Sequence, residues 1–216
     1  MRGLFSLEGG LFSGMGKIVD IILVSMLWTF FCMPIITIGP ATTALYYVVA
    51  KVIRKERGYI WQEFWKCFKQ NFVTGIIYTA ICLAIAFVFY FNFNVINVKD
   101  TTVNLILFYI YWMFMFVIGS AVVYLFPLLS RFNLKRFELV KMALFVSMKN
   151  LPNTLVVLLI TVLAGLLMYS VPIVTSFIPG VSCLLCSLRL EKVFKKYLPK
   201  PDENIPEDEL EWYYTF

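Results

Sequence analysis

Four runs of this chain carry no charged residue, and each is too long for a helix of a soluble domain: Ile21 to Ala50, Phe72 to Val98, Thr101 to Ser130 and Leu151 to Leu188. A hydrocarbon core of about 30 Å needs roughly 20 residues of apolar helix, and its backbone groups must be satisfied inside the helix. The expected fold class is therefore all-α, a polytopic helical membrane protein. Composition agrees: of 216 residues 61% are hydrophobic and 15% charged, and the apolar ones come in blocks rather than in a soluble-helix period.

The first run is too long for one span and too short for two. As one straight helix it would reach about 45 Å. The stretch Pro34-Ile-Ile-Thr-Ile-Gly-Pro-Ala-Thr-Thr-Ala-Leu-Tyr-Tyr47 supplies the break, because proline lacks an N–H and restricts the residue before it. Thr37, Thr42 and Thr43 are placed to satisfy the freed backbone. The result is a broken hairpin, with Lys17 to Met33 going one way and Ile35 to Arg54 returning. Beyond Met33 the chain stays apolar and offers no Ala-x-Ala-like site, so the first segment does not read as a cleavable signal peptide. Met1 to Gly16 reads as a glycine-rich interfacial arm. The same logic predicts breaks at Gly119-Ser120 and Pro127, and at Pro172 and Pro179-Gly180. The helix-break positions are thus Pro34, Gly39, Pro40, Gly119, Pro179 and Gly180. The expected count is six membrane segments in three hairpins, or five if the arm from Ile35 to Arg54 does not cross.

Charge sets the orientation. Residues 51–72, 130–152 and 189–200 each carry a net +4, whereas the first 20 residues and Lys99-Asp100 sum to zero. Basic residues flanking spans are held in the cytoplasm. This places all three patches there, with both termini, in a multi-pass protein of the cell membrane. Topology accounts for these charges, so nucleic acid is not an expected partner; the lipid bilayer is. Residues 1–200 read as one helical membrane domain. Residues 201–216 hold six acids and no base and read as a flexible acidic cytoplasmic tail, whose terminal aromatics could fold back on the basic loops or dock a partner.

Between the first two hairpins, Ile60, Trp61, Phe64, Trp65 and Phe68 recur on one helical face, opposed by Gln62, Glu63, Lys66, Lys69 and Gln70. Trp61, Phe64, Trp65 and Phe68 are the candidate membrane-interface or partner-binding residues. A helix lying in the cytoplasmic interface and a helix docking a partner share this pattern. Arg131 to Lys149 forms a second such helix, with Phe137, Val140, Leu144 and Met148 on one face. An internal repeat runs through both units: Gly39-Pro-Ala-x-x-x-Leu-Tyr46 is echoed by Gly119-Ser-Ala-x-x-x-Leu-Phe126, and Lys69-Gln-Asn71-Phe72 by Met148-Lys-Asn150-Leu151. A third returning arm begins at Gly180. By this repeat a bulky side chain at Gly39 or at Gly119 should clash alike.

Chemistry is sparse. There is no histidine, the commonest general base and metal ligand. No charge lies near the middle of a run, and no phosphate loop, zinc-protease helix or nucleophile elbow occurs. Cys183-x-x-Cys186 has redox spacing but an apolar setting that does not activate a thiol. Five cysteines, mostly within the runs, argue against a disulfide framework. No catalytic, cofactor-binding or metal-binding residue is assigned, and the expectation is a protein that is not an enzyme and needs no cofactor.

The segment Pro34-Ile-Ile-Thr-Ile-Gly-Pro-Ala-Thr-Thr-Ala-Leu-Tyr-Tyr-Val, then Glu56-Arg-Gly-Tyr59, then Phe64 through Lys69-Gln-Asn71-Phe72 resembles the YesL-like family of uncharacterised bacterial membrane proteins, a domain of unknown function. The likeness covers roughly residues 4–95; Arg57 departs from it where family members more often carry an acid. The resemblance implies a context, since such proteins often accompany carbohydrate-uptake and carbohydrate-degradation genes, and it brings no catalytic residues. Two functions are then expected. One is a non-enzymatic accessory to carbohydrate uptake or sensing, contacting a sugar-transporter or receptor subunit through its cytoplasmic helices. The other is a small transporter or channel for a neutral solute such as a sugar, working as a homo-oligomer around the broken helices.

Overall fold

The computed structural model describes residues 4–95, 102–132 and 134–197, with side chains for 15–92, 104–132 and 134–197. The expected external loop and the acidic tail lie outside these residues. Every regular element described is helical: α1 (Leu4–Phe31), α2 (Ile38–Val48), α3 (Ile60–Gln70), α4 (Phe72–Val95), α5 (Thr102–Arg131), α6 (Arg136–Lys149), α7 (Leu151–Ser170) and α8 (Ile178–Phe194). Among the described residues four helical segments are long and apolar enough to cross a membrane: Ile35–Ile53, Phe72–Asn92, Asn104–Arg131 and Leu151–Ser170. The chain is a helical membrane protein.

The prolines act at two of the expected places. After Pro34 a short 3-10 turn (Ile35–Thr37) carries the chain into α2, with Gly39 and Pro40 in the first turn, where a missing N–H costs little. After Ser170 a second 3-10 turn (Pro172–Ser176) leads into α8, again with its Pro-Gly pair in the first turn. Helix α2 ends in a π-type turn, Val49–Ile53, in which the Arg54 N–H donates to the Val49 carbonyl.

Two expectations are corrected here. Helix α5 runs unbroken through Gly119 and carries Pro127 inside it. A glycine lowers helix propensity without stopping a helix, and one proline removes one backbone bond; the breaks that hold combine proline with a second breaker. Residues 4–16 belong to the same continuous helix as the apolar segment after them, so the arm is not a separate element.

Helix α2 is the hub, buried along most of its length and shared between two apolar clusters. One gathers Val24, Leu45, Val48, Phe64 and Phe68, joining α1, α2 and α3. The other gathers Tyr46, Tyr124, Leu128, Leu139, Val157 and Phe194, joining α2 to α5 through α8. Helices α4, α5 and α7 instead turn rows of Leu, Ile, Phe and Tyr outward. In a lipid solvent this is the expected outer surface.

Helices α3 and α6 each end at an asparagine elbow. Asn71 donates from Nδ2 to the Cys67 carbonyl, while its own carbonyl accepts the Gly75 N–H at 2.7 Å. Asn150 donates to the Val146 carbonyl, and its carbonyl accepts the Thr154 N–H at 3.0 Å. Each thereby closes one helix and opens the next. This half of the internal repeat has the same hydrogen-bond pattern in both copies.

Candidate functional site

The broken helices are capped by their neighbours. Neither Thr37 nor Phe177, the residues preceding α2 and α8, makes a side-chain cap. An unmet N–H is costly away from water. The Gly39 N–H donates to Thr79 Oγ1 of α4 at 3.0 Å, and that hydroxyl donates to the Gly75 carbonyl. The Gly180 N–H donates to Ser25 Oγ of α1 at 2.9 Å, and that hydroxyl donates to the Ile21 carbonyl at 2.7 Å. A methyl group on Gly39 would fall on Thr79 Oγ1 and 2.6 Å from the Gly75 carbonyl oxygen. One on Gly180 would lie 2.6 Å from Ser25 Oγ and 2.8 Å from the Ile21 carbonyl oxygen. Glycine is required at both by close backbone approach. Gly119 meets nothing within 4 Å. The structural partner of Gly39 is thus Gly180, contrary to the repeat that pairs it with Gly119.

Gly119 borders a cavity of about 650 Å³ between α4, α5 and α7, lined by side chains such as Cys82, Ile85, Phe89, Trp112 and Leu158. A second cavity of about 290 Å³ lies between α2, α5, α7, α8 and the end of α1, lined among others by Trp28, Tyr46, Phe126 and Cys183. Its threonine and serine hydroxyls are tied to helix carbonyls: Thr42 donates to Ile38, Thr161 to Val157 and Ser182 to Pro179. The Trp28 indole N–H donates to Thr42 Oγ1 at 3.2 Å.

Below this cavity α2, α5 and α8 meet in a buried polar cluster. The Tyr46 hydroxyl donates to Glu191 Oε1 at 2.8 Å, and Arg131 pairs with Glu191 Oε2. All three side chains are almost fully enclosed. Arg54 Nη1 adds a bond to the Ser187 carbonyl of α8 at 3.2 Å. Nearby, burial and the neighbouring Arg54 hold the Lys55 amine below the usual lysine range. Sequence reasoning missed this cluster because Arg131 and Glu191 were counted as topology charges. A signal was present: Glu191 is the one acid within the basic stretch 189–200.

The candidate interface residues divide into two pairs. Phe64 and Phe68 are buried against Phe31 of α1, with ring centroids at 5.5 and 4.9 Å. Trp61 and Trp65 are 61% and 38% exposed, stacked at 6.5 Å and 8°, with Lys69 Nζ 4.9 Å above the Trp65 ring. The four therefore do not form one outward face. Glu63, placed on the opposite polar face, pairs with Lys51 at 2.8 Å and fastens α3 to the π-type turn of α2. Burial pushes the Cys67 thiol up to about 12. In α6 the residues facing inward are Leu139, Ala143, Val146 and Ser147, and the expected face of Phe137, Val140, Leu144 and Met148 points outward.

Among the described residues no group of three or more Cys, Asp or Glu is placed to hold a metal ion. A family described as "Protein of unknown function, DUF624" matches residues 21–93, from the middle of α1 through α4, and so contains the first capped break and α3. The chain is similar to the "Uncharacterized protein YteU" of Bacillus subtilis (strain 168), with 28% identity over 170 residues, 77% of this chain and 76% of that protein. No solved structure matches the chain.

Proposed function

We propose, for a chain of the uncharacterised bacterial DUF624/YesL-like family, a non-enzymatic role in the cell membrane: docking a transporter or receptor subunit that serves carbohydrate uptake or sensing. The carbohydrate context rests on the resemblance. The docking role rests on one observation. Helix α3 is already anchored by Phe64, Cys67 and Phe68, yet it holds a stacked tryptophan pair with a lysine above it on its outer side. Trp65 also meets Phe31 and Phe68 on its inner edge, whereas Trp61 is 61% exposed, so the outer part of the pair exceeds what folding requires. Tryptophan rings beside a cation are the anchors on which binding energy concentrates.

The interior supports this reading over solute transport. A neutral sugar gives up a hydrogen bond to water at each hydroxyl and needs replacements. The cavity's Thr and Ser hydroxyls donate to their own helices and its Tyr46 hydroxyl to Glu191, and the acidic and basic groups below are joined to each other. We likewise take α1 and α8 to join the four candidate spans as six segments in three hairpins, with both termini in the cytoplasm where the basic patches would be held.

Unbiased crosslinking in the native membrane, followed by purification of this chain, tests the proposal. A sugar-transporter or receptor subunit among the captured proteins supports docking. Capture of further copies of this chain alone, together with movement of a neutral sugar by the purified protein in vesicles, establishes the transport reading instead.

A further inference from the structure

Helix α6 turns an apolar face outward. Phe137, Leu144 and Met148 form an exposed apolar stripe along it, and Phe137 is 84% exposed. Lys141 lies in the middle of that stripe, with Arg136 and Lys149 near its ends. Basic and apolar groups alternate on one short helix, and Glu138 is the single acid there.

The last described residue reaches the edge of this face. The Tyr197 ring stands 6.3 Å from Phe145, edge to face. Lys149 Nζ sits 5.3 Å from the Phe145 ring centroid and 5.8 Å from that of Tyr197. The Tyr197 hydroxyl accepts a bond from Asn150 at the elbow. The chain beyond this point is residues 198–216, in which Glu207-Asp-Glu-Leu-Glu-Trp-Tyr-Tyr-Thr-Phe216 places acids directly before aromatics.

We infer that this acidic, aromatic C-terminal segment is the occupant of the α6 face, its carboxylates against Lys141 and the flanking basic residues and its rings on the Phe137–Leu144–Met148 stripe. Charge complementarity is the first argument: residues 201–216 carry six acids and no base. Reach is the second. Residues 198–216 extend up to roughly 60 Å, whereas α6 with its 14 residues is about 21 Å long. Tethering is the third, because a short linker holds its ligand at an effective concentration in the millimolar range, on the order of that needed to saturate a weak contact. An acidic segment is also repelled by anionic lipid, which leaves the basic helix as its better partner. The inference does not depend on what α3 docks.

The test uses the full chain with p-benzoylphenylalanine in place of Trp212. It is irradiated in membranes and its crosslinks are mapped by mass spectrometry, with a differently tagged copy present. The expected product is a crosslink within one chain to residues 137–148, reduced roughly two- to fivefold by Lys141→Glu, as for an exposed ion pair. Should that variant fail to accumulate, raising salt on the parent chain must lower the same crosslink. Crosslinks to lipid alone, to α3, to another copy or to a different protein would overturn the inference, as would indifference to both Lys141→Glu and salt.

Discussion

At Gly39 and Gly180 the structure is decided atom by atom. Each offers its N–H to a hydroxyl on another helix and leaves no room for a side chain. Gly39→Leu and Gly180→Leu should each reduce accumulation in the membrane and detergent stability, whereas Gly119→Leu, which faces open space, should leave both near the parent level. Side-by-side melting of the three variants checks this, and equal loss in all three would restore the pairing of Gly39 with Gly119. Glu191 gives a second residue-level prediction. It neutralises a buried arginine and holds the Tyr46 hydroxyl. Glu191→Ala leaves that arginine enclosed, a change that costs about 3–5 kcal/mol, whereas an apolar replacement of both partners is often close to neutral. Chemical denaturation of Glu191→Ala and of Glu191→Leu/Arg131→Met should therefore show a large loss and a substantial recovery.

Elements were legible in the sequence wherever one period or one breaker pair dominated. The uncharged runs located α4, α5 and α7, and Pro34 with Gly39-Pro40 located the turn into α2. The two asparagine elbows were visible as a repeated Asn followed by a large apolar residue. What failed were readings that needed knowledge of the neighbours. Gly119 looks like Gly39 in the chain, yet α5 continues through it because no second breaker or approaching helix acts there. Trp61 and Phe64 look alike on a helical wheel, but Phe31 of α1 lies against Phe64, Trp65 and Phe68, and Trp61 is left 61% exposed. Arg131, Glu191 and Tyr46 are far apart in sequence, and only the meeting of α2, α5 and α8 makes them one cluster. The divided face of α3 has a measurable consequence. Trp61→Ala should insert and melt like the parent chain, within about 1 kcal/mol, while Phe64→Ala, in the core, should cost about 3–5 kcal/mol.

At the scale of the molecule, α2 sits at the centre, two capped breaks bind the helices together, and the outward surface is apolar where lipid would lie. The proposed six crossings would put Gly3 in the cytoplasm. A Gly3→Cys variant in a background without the native cysteines should resist a membrane-impermeant maleimide in intact cells and react after permeabilisation; labelling from outside would mean five. The central claim is that the tryptophan pair on α3 docks another membrane protein. Its most direct measurement takes the partner captured from the native membrane and compares its binding to the reconstituted parent chain and to Trp61→Ala/Trp65→Ala. Loss of two aromatic anchors should weaken binding at least about tenfold with the protein still folded and inserted. Equal affinity for the two, or sugar flux through vesicles that hold this chain alone, would contradict the account.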